Sequence, residues 1–189
     1  MINNALTFIK RHLGGELHAR IGASEGDVVI DSVNKEGSSD NLVITLINIE
    51  EEKFYKEQNH YRRNEGDTAG FKIVNPEIKL NLYILFSAQK NDYKEALKQI
   101  SCLIKIFQGK YVFEKEDFAK YSEISGLESL IVELFPLSLE QNNNLWQTLG
   151  NKMVPSVMYK VKMVSIQDDK PAGESPEIRA IGIDIAHKQ

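Results

Sequence analysis

The feature that most constrains the fold is a strand followed directly by a helix, within residues 77–109. The segment "EIKLNLYILFSAQ" alternates apolar side chains with a period of two, which is typical of a β-strand. Asp92 can cap the helix that follows, and Gly109 can end it. The apolar stripe of this helix comprises Tyr93, Ala96, Leu97, Ile100, Leu103, Ile104 and Phe107. A further strand, "KYVF", completes the unit.

The N-terminal segment predicts an amphipathic helix over residues 2–21. Its apolar stripe consists of Ile2, Leu6, Ile9, Leu13 and Leu17. Gly14 and Gly15 each weaken this helix by about 1 kcal/mol relative to alanine, so a kink or an early stop is expected there.

The remaining apolar runs predict strands separated by polar loops. The strands are "DVVIDSV", "LVITLINIEEE", "LESLIVELFPLS", "VMYKVKMVSI" and "EIRAIGIDIA". The second of these is apolar on both faces, which indicates a sheet covered on both sides. We therefore predict an α/β (α+β) fold, in which the N-terminal helix and the second amphipathic helix pack on a mixed β-sheet. The whole chain, 1–189, is predicted to be one domain with a long polar loop at 53–76, and "QDDKPAGESPE" to be a mobile hairpin loop.

The single tryptophan follows three asparagines in "SLEQNNNLWQTLGNKMVPSVMYKV". Ser138 and Gln141 have the spacing of a capping box, and Gly150 suits the left-handed position after a helix end. Pro155 then forces extended geometry on the preceding residue, and a strand begins. We expect Trp146 to pin this short helix to the sheet and its N–H group to find a hydrogen-bond acceptor nearby.

Composition excludes several classes of protein. The net charge of −4 does not provide the basic face that nucleic acid needs. One cysteine allows no intrachain disulfide, and 42% hydrophobic with 26% charged residues is ordinary for a soluble globular domain. The N-terminus lacks the layout of a secretory signal, and no run has the length of a membrane span.

No strong catalytic or metal-binding motif occurs in the sequence. The carboxylates Glu50 to Glu52 alternate faces on a strand, so at most two can act together, and a solvated strand end is the simpler interpretation. Cys102 is interpreted as a small core residue. The cluster "HYRRN" fits either phosphate or an acidic protein surface, or else a soluble loop. The pattern favours a binding or assembly protein over an enzyme.

Five segments in a fixed order carry a family resemblance. They are "MINNALTFIKRHL", "LVITLINIEEEK", "NPEIKLNLYILFSA", "YKEALKQISCLIKIFQGKYVF" and "IVELFPLSLEQNNNLWQTLGNKMVPSVMYKVKMVSI". The chain resembles the N-terminal domain of the cap, or tail-terminator, proteins of extracellular contractile injection systems, which are phage-tail-like particles of the antifeeding-prophage type. The resemblance implies no catalytic residue, cofactor or metal. It also implies a shared fold signature, made up of Ser138, Trp146, Gly150, Pro155 and Tyr159.

The resemblance further implies a structural role. Six copies are expected to form a ring on the baseplate-distal end of the inner tube, to contact the last sheath layer and to stop polymerisation. The implied partners are further copies of the chain, the inner tube protein and the sheath protein, without nucleic acid or membrane insertion. Assembly is expected in the cytoplasm, and the particle is either released or membrane-anchored.

The long polar segment supplies the candidate assembly interface. Its residues, with the strand end before it, are Glu51, Lys53, Tyr55, Tyr61, Arg62 and Arg63. An exposed sheet edge that accepts an extended arm of a sheath subunit is a second candidate. One alternative is an assembly factor absent from the finished particle. Another is a phosphate- or small-molecule-binding enzyme that uses Arg62, Arg63 and Glu51.

Overall fold

The structure is a computed structural model, and it describes residues 1–33, 40–52, 61–63, 71–73, 77–166 and 173–175. The chain forms two compact units. The first comprises Met1–Tyr55 and Lys79–Ile166, and the second comprises Lys56–Ile78 and Gln167–Gln189.

The described helices and strands follow the predicted order closely. The helices are α1 (Ile2–Ile21), α2 (Tyr93–Gly109), α3 (Lys115–Phe118) and α4 (Leu139–Leu149), with a 3-10 turn at Glu25–Asp27. The strands are β1 (Val28–Ile30), β2 (Asn41–Glu51), β3 (Tyr61–Arg63), β4 (Phe71–Ile73), β5 (Ile78–Gln89), β6 (Val112–Glu114), β7 (Ser129–Leu134), β8 (Ser156–Ile166) and β9 (Gly173–Ser175). The predicted strand "EIRAIGIDIA" lies outside the described residues.

The first unit is built on a six-stranded mixed sheet in the order β1-β2-β5-β8-β7-β6. Strand β1 runs parallel to β2, whereas β2 pairs antiparallel with β5, β7 with β8, and β6 with β7. This mixed sheet, with α1 and α2 packed on it, confirms the predicted α/β (α+β) class.

Strand β5 contributes apolar side chains to both faces of the sheet, and both faces are covered. Its even-numbered residues Leu82, Ile84 and Phe86 are fully buried in the larger core, together with apolar residues of α1 and α2. Its odd-numbered Leu85 lies in a second, smaller core with Trp146 of α4. Because successive side chains of a strand point to opposite faces, one apolar strand supports both layers.

Helix α1 continues through Gly14 and Gly15 to Ile21, so the early stop considered from the sequence does not occur. Five of its apolar side chains, Leu6, Phe8, Ile9, Leu13 and Leu17, are buried against the larger core. Packing of an amphipathic face outweighs the local helix propensity of two glycines.

The predicted apolar stripe of α2 divides into two parts. Ala96, Leu103 and Phe107 are buried, as are Gln99, Cys102 and Ile106 beside them. In contrast, Tyr93 is 65% exposed, Leu97 45% and Ile104 37%. The sequence therefore predicted the helix and its ends correctly, but a part of its apolar stripe does not face the core.

The second unit contains a three-stranded antiparallel sheet in the order β3-β4-β9. Two of its strands fall within the segment 53–76, for which the sequence predicted only a polar loop, and β9 falls within the predicted hairpin loop. The rest of these two segments lies outside the described residues, and the single-domain assignment stays a prediction.

Candidate assembly surfaces

Helix α4 begins and ends as the sequence predicts. The Ser138 hydroxyl accepts a hydrogen bond from the Gln141 amide at 3.1 Å, and the Gln141 side chain accepts one from the Ser138 amide at 2.9 Å. Gly150 follows the helix with φ 67°, in the left-handed region, and its N–H donates to the Gln147 carbonyl at 3.1 Å. These caps satisfy backbone groups that a short helix would otherwise leave without partners.

Trp146 is the residue that fixes α4 to the sheet. It is 3% exposed and packs with Leu85, Met158 and Val33. The indole N–H lacks the expected hydrogen-bond acceptor. Its Nε1 is buried without a partner among the described residues. The indole therefore stabilises this core by apolar contact rather than through a hydrogen bond.

Pro155 and Tyr159 connect the β8 segment to β5 and α2. The Pro155 carbonyl accepts a hydrogen bond from the Ala88 amide at 2.9 Å, just before β8 begins. Tyr159 is 3% exposed and packs against the rings of Phe86 and Phe107, with centroids 5.7 Å and 5.0 Å away. Burial raises the pKa of Tyr159 to about 12, so the phenol stays neutral.

The six candidate interface residues fall on different parts of the chain. Glu51 is exposed at the end of β2, where it pairs with Leu80 of β5. Lys53 and Tyr55 lie outside the described residues. Tyr61, Arg62 and Arg63 form β3, and the structure describes only their backbone pairing with β4. Their role in assembly stays a prediction.

A polar cluster that sequence reasoning missed lies beside Glu51. The Tyr83 hydroxyl donates to the Glu50 carboxylate at 2.6 Å, and the Asn81 amide donates to Glu52 at 2.9 Å. The Glu50 hydrogen bond, with lesser contributions from burial and nearby carboxylates, raises the pKa of Tyr83 to about 12. The Lys160 ammonium lies 5.4 Å from the centroid of the Tyr83 ring. The neighbouring positions of β2, β5 and β8 in the sheet bring these residues together, so no local sequence pattern could reveal them.

An apolar groove of about 480 Å³ lies beside α4, between part of this helix and the sheet, and we call it the α4 groove. Ile47 lies in it at an irregularity in the β2–β5 register, between Leu46 and Asn48. The apolar lining residues are Ile47, Tyr83, Phe135, Leu137, Leu145 and Met158, and the polar ones are Asn48, Gln141, Asn144 and Thr148.

A second groove of about 520 Å³ lies between α2 and β7, and we call it the α2 groove. Tyr111 and Leu134 line it while remaining 53% and 52% exposed. The other lining residues are Ile104, Phe107, Gln108, Val132, Glu133 and Tyr159. The segment "FPLS" after β7 leads from this groove toward α4, and Leu139 at the start of α4 is 90% exposed.

A cavity of about 300 Å³ beside α1 contains ionisable groups. His12 lines it, with its ring stacked on Phe8 and in edge contact with Phe113. Burial is the main cause that lowers the pKa of His12. Glu16 and Asp117 act in the opposite direction, and Lys110 and Lys120 add to the lowering. Burial raises the pKa of Asp117, but hydrogen bonds from Lys110, the Glu114 amide and Lys120 outweigh it and leave that pKa lowered.

The fold should lose stability as the pH falls below about 6.5, the ordinary histidine value. The pKa of His12 is lowered in the folded state, so the unfolded chain binds the proton more readily and gains from acidification. His12→Phe keeps a ring on Phe8 and removes the ionisable group. Urea unfolding at pH 7.5 and pH 5.5 should show a smaller loss of stability in this variant than in the wild type. An equal loss in both would contradict the assignment to His12.

Among the described residues, no group of three or more histidine, cysteine, aspartate or glutamate side chains has the geometry of a metal site. Cys102 is 7% exposed and packs in the larger core, as the sequence indicated. None of the described helices combines the length and the apolarity that a membrane crossing requires.

The described fold belongs to the class of α/β scaffold proteins. Its sheet is covered on both faces, and its grooves expose apolar side chains to solvent. The sequence profile of the family described as the Pvc16 N-terminal domain matches residues 6–180. The chain belongs to this family, which confirms the resemblance found in the sequence.

Two solved structures share the fold. One is the PVC sheath/tube terminator of an extracellular contractile injection system, in the extended state. Its TM-score is 0.65 at 15% sequence identity, and the match covers 100% of this chain and 64% of that chain. The other is the tube-terminating cap of the anti-feeding prophage, with a TM-score of 0.63 at 15% identity, covering 94% of this chain and 60% of that one. The chain thus spans less than two thirds of either structure's length. A comparison with curated proteins gives no match.

Proposed function

We propose that this chain is a structural cap domain of a contractile injection particle. In this role it ends the inner tube on the side distal to the baseplate and contacts the last sheath layer. The observation that carries the proposal is the family match over residues 6–180, together with a fold shared with a sheath/tube terminator and a tube-terminating cap.

A ring of six copies is the proposed form of the cap. Tube rings stack head to tail, an open arrangement that continues to grow unless its last face accepts no further ring. Heterologous contacts around the ring close it, and each should bury about 1,000 Å² or more. The α4 groove provides apolar surface of the kind that such contacts use.

The proposed role is structural and not catalytic. Hydrogen bonds from the Tyr83 hydroxyl and the Asn81 amide already engage the Glu50 and Glu52 carboxylates, which supports this role. The chain would assemble in the cytoplasm and remain in a particle that is either released or anchored to a membrane.

Two surfaces are proposed for contacts with tube and sheath. One is the segment that contains Glu51, Lys53, Tyr55, Tyr61, Arg62 and Arg63. The other is the edge of the six-stranded sheet, where an extended arm of a sheath subunit would add as a further strand. Among the described strands the two edges are β1 and β6, each three residues long.

Deleting this chain from the producing strain should yield particles with inner tubes of abnormal length and unstable sheaths. The physical reason is that elongation would have no terminating face. Electron micrographs of purified particles measure the length distribution, and expression of the chain from a plasmid should restore it. Particles of normal length in the deletion strain would refute the cap function.

An assembly factor absent from the finished particle is the alternative within the same system. Mass spectrometry of purified wild-type particles separates the two functions, because a cap must be present at a fixed ratio to the tube protein. Absence of the chain from particles whose tubes become abnormal on its deletion would favour the assembly factor.

A further inference from the structure

One side of α2 carries an apolar stripe that is largely exposed, although Ile100 within it packs partly against the larger core. Tyr93, Leu97 and Ile104 are exposed, and Ile100 between them is only partly buried. With about 100° of rotation per residue, these four side chains fall on one side of the helix, and the buried Ala96, Gln99, Leu103 and Ile106 fall on another. We call these four residues the outer stripe.

The outer stripe continues into the α2 groove. Ile104 belongs to both, and Tyr111 and Leu134 extend the apolar surface across the groove at 53% and 52% exposure. From Tyr93 to Ile104 the stripe is about 16 Å long, the length of three helical turns. A continuous apolar surface of this length, ending in a groove of about 520 Å³, has the form of a site that receives a helix.

Lysines border the outer stripe on the side away from the core. Lys94, Lys98 and Lys105 lie about 100° further round the helix than their apolar neighbours Tyr93, Leu97 and Ile104. Lys98 lies 3.6 Å from Glu95 in an exposed pair, and no ion pair engages Lys94 or Lys105 within the described residues. This helix surface is therefore basic, although the whole chain has a net charge of −4.

We propose that the outer stripe and the α2 groove together bind an amphipathic helix of another protein, whose apolar side chains are flanked by aspartate or glutamate. Apolar residues of the partner cover Leu97 and Ile104, one of them fills the α2 groove, and its carboxylates face Lys94 and Lys105. The charge of the lysine border selects an acidic partner over a basic one.

A second copy of this chain does not fit the site equally well. Among the described helices, α4 exposes Leu139 beside a single carboxylate, Glu140, and its other exposed side chains are uncharged. Helix α1 exposes Arg11 and Arg20 and places no apolar stripe in solvent. The occupant is therefore assigned to a different polypeptide.

A designed peptide tests this binding in solution, independently of the cap function. The probe is a stapled, fluorescein-labelled helix of about 18 residues, with a leucine stripe flanked by glutamates, long enough to cover the stripe and the groove. Its twin carries lysines in place of the glutamates. In fluorescence anisotropy the full-length chain should bind the acidic probe about tenfold more tightly than the basic one, since two or three exposed charge pairs are involved.

Three variants locate the interaction. Leu97→Asp should weaken binding of the acidic probe at least about tenfold, and the double variant Lys94→Glu, Lys105→Glu should reverse the preference between the two probes. Leu139→Asp changes an even more exposed leucine on α4 and should leave binding unchanged. Circular dichroism checks that each variant is folded. Equal affinity for both probes, no binding, or a loss caused by Leu139→Asp would overturn the proposal.

Photo-crosslinking from position 97 identifies the natural occupant. Benzoylphenylalanine in place of Leu97, in assembled particles, should form an adduct with a different polypeptide, at a segment in which acidic residues flank apolar ones at helical spacing. An adduct with a second copy, or none, would overturn the inference while leaving the cap function intact. Should the chain be missing from particles, the cap function fails and the peptide measurement still decides the inference.

Discussion

Replacing Trp146 by alanine is expected to lower the free energy of unfolding by about 3–5 kcal/mol. The indole is 3% exposed and is the largest side chain of the smaller core, so its removal leaves a cavity between α4 and the sheet. Helix α4 has only 11 residues and is too short to be stable without this contact. Urea unfolding followed by far-ultraviolet circular dichroism measures the loss, since the variant contains no other tryptophan for fluorescence.

Two further variants separate apolar packing from other effects. Trp146→Phe should cost about 1–1.5 kcal/mol, because its Nε1 has no acceptor to lose and most of the apolar area remains. Leu139→Ala, at a 90% exposed position of the same helix, should change stability by less than about 0.5 kcal/mol. Comparable losses for Trp146→Ala and Leu139→Ala would contradict the role of Trp146 burial, because neither substitution lowers helix propensity.

The ends of α4, which the sequence predicted correctly, depend on local sequence. The Ser138 capping box, the positive φ of Gly150 and the start of β8 after Pro155 each arise within a few residues of chain. The same holds for β5, whose alternation of apolar residues is a local pattern. Local patterns of this kind fix the identity and the ends of elements, and the sequence predicted them.

Features that depend on pairing of distant segments were not predictable. The Tyr83–Glu50 hydrogen bond and the irregular pairing between Leu46 and Asn48 depend on the register of β2 against β5. The short α3 was missed because four residues carry no period. Strands β3 and β4 were missed because they lie in a segment rich in charged residues, asparagine and glycine.

The candidate surfaces were predictable only in part. The sequence identified an apolar stripe on α2 but did not separate Leu103, which is buried, from Leu97 and Ile104, which are exposed. Both kinds recur at helical spacing, and only the position of the sheet decides which side of the helix is covered. The exposed part is the basis of the binding site proposed for an acidic helix, so the error in the prediction and the new inference have the same physical origin.

Replacing Phe8 by alanine should also cost about 3–5 kcal/mol, through the docking of α1. Phe8 is 1% exposed, and its ring makes edge contacts with Phe113 and Phe118 at centroid distances of 5.0 Å and 4.7 Å. Each aromatic pair contributes about 0.5–1.5 kcal/mol beyond the buried area. These rings join α1 to β6 and α3, which lie more than 100 residues further along the chain, so the variant should unfold with a lowered urea midpoint.

Phe8→Leu and Tyr93→Ala are the controls for this prediction. Leucine retains most of the apolar volume and loses the ring contacts, so its cost should be about 1–2 kcal/mol. Tyr93, 65% exposed on the outer stripe, should be replaceable by alanine within about 0.5 kcal/mol of wild-type stability. If Tyr93→Ala proved as destabilising as Phe8→Ala, the outer stripe would be part of the core of the free chain and could not be open to a partner helix.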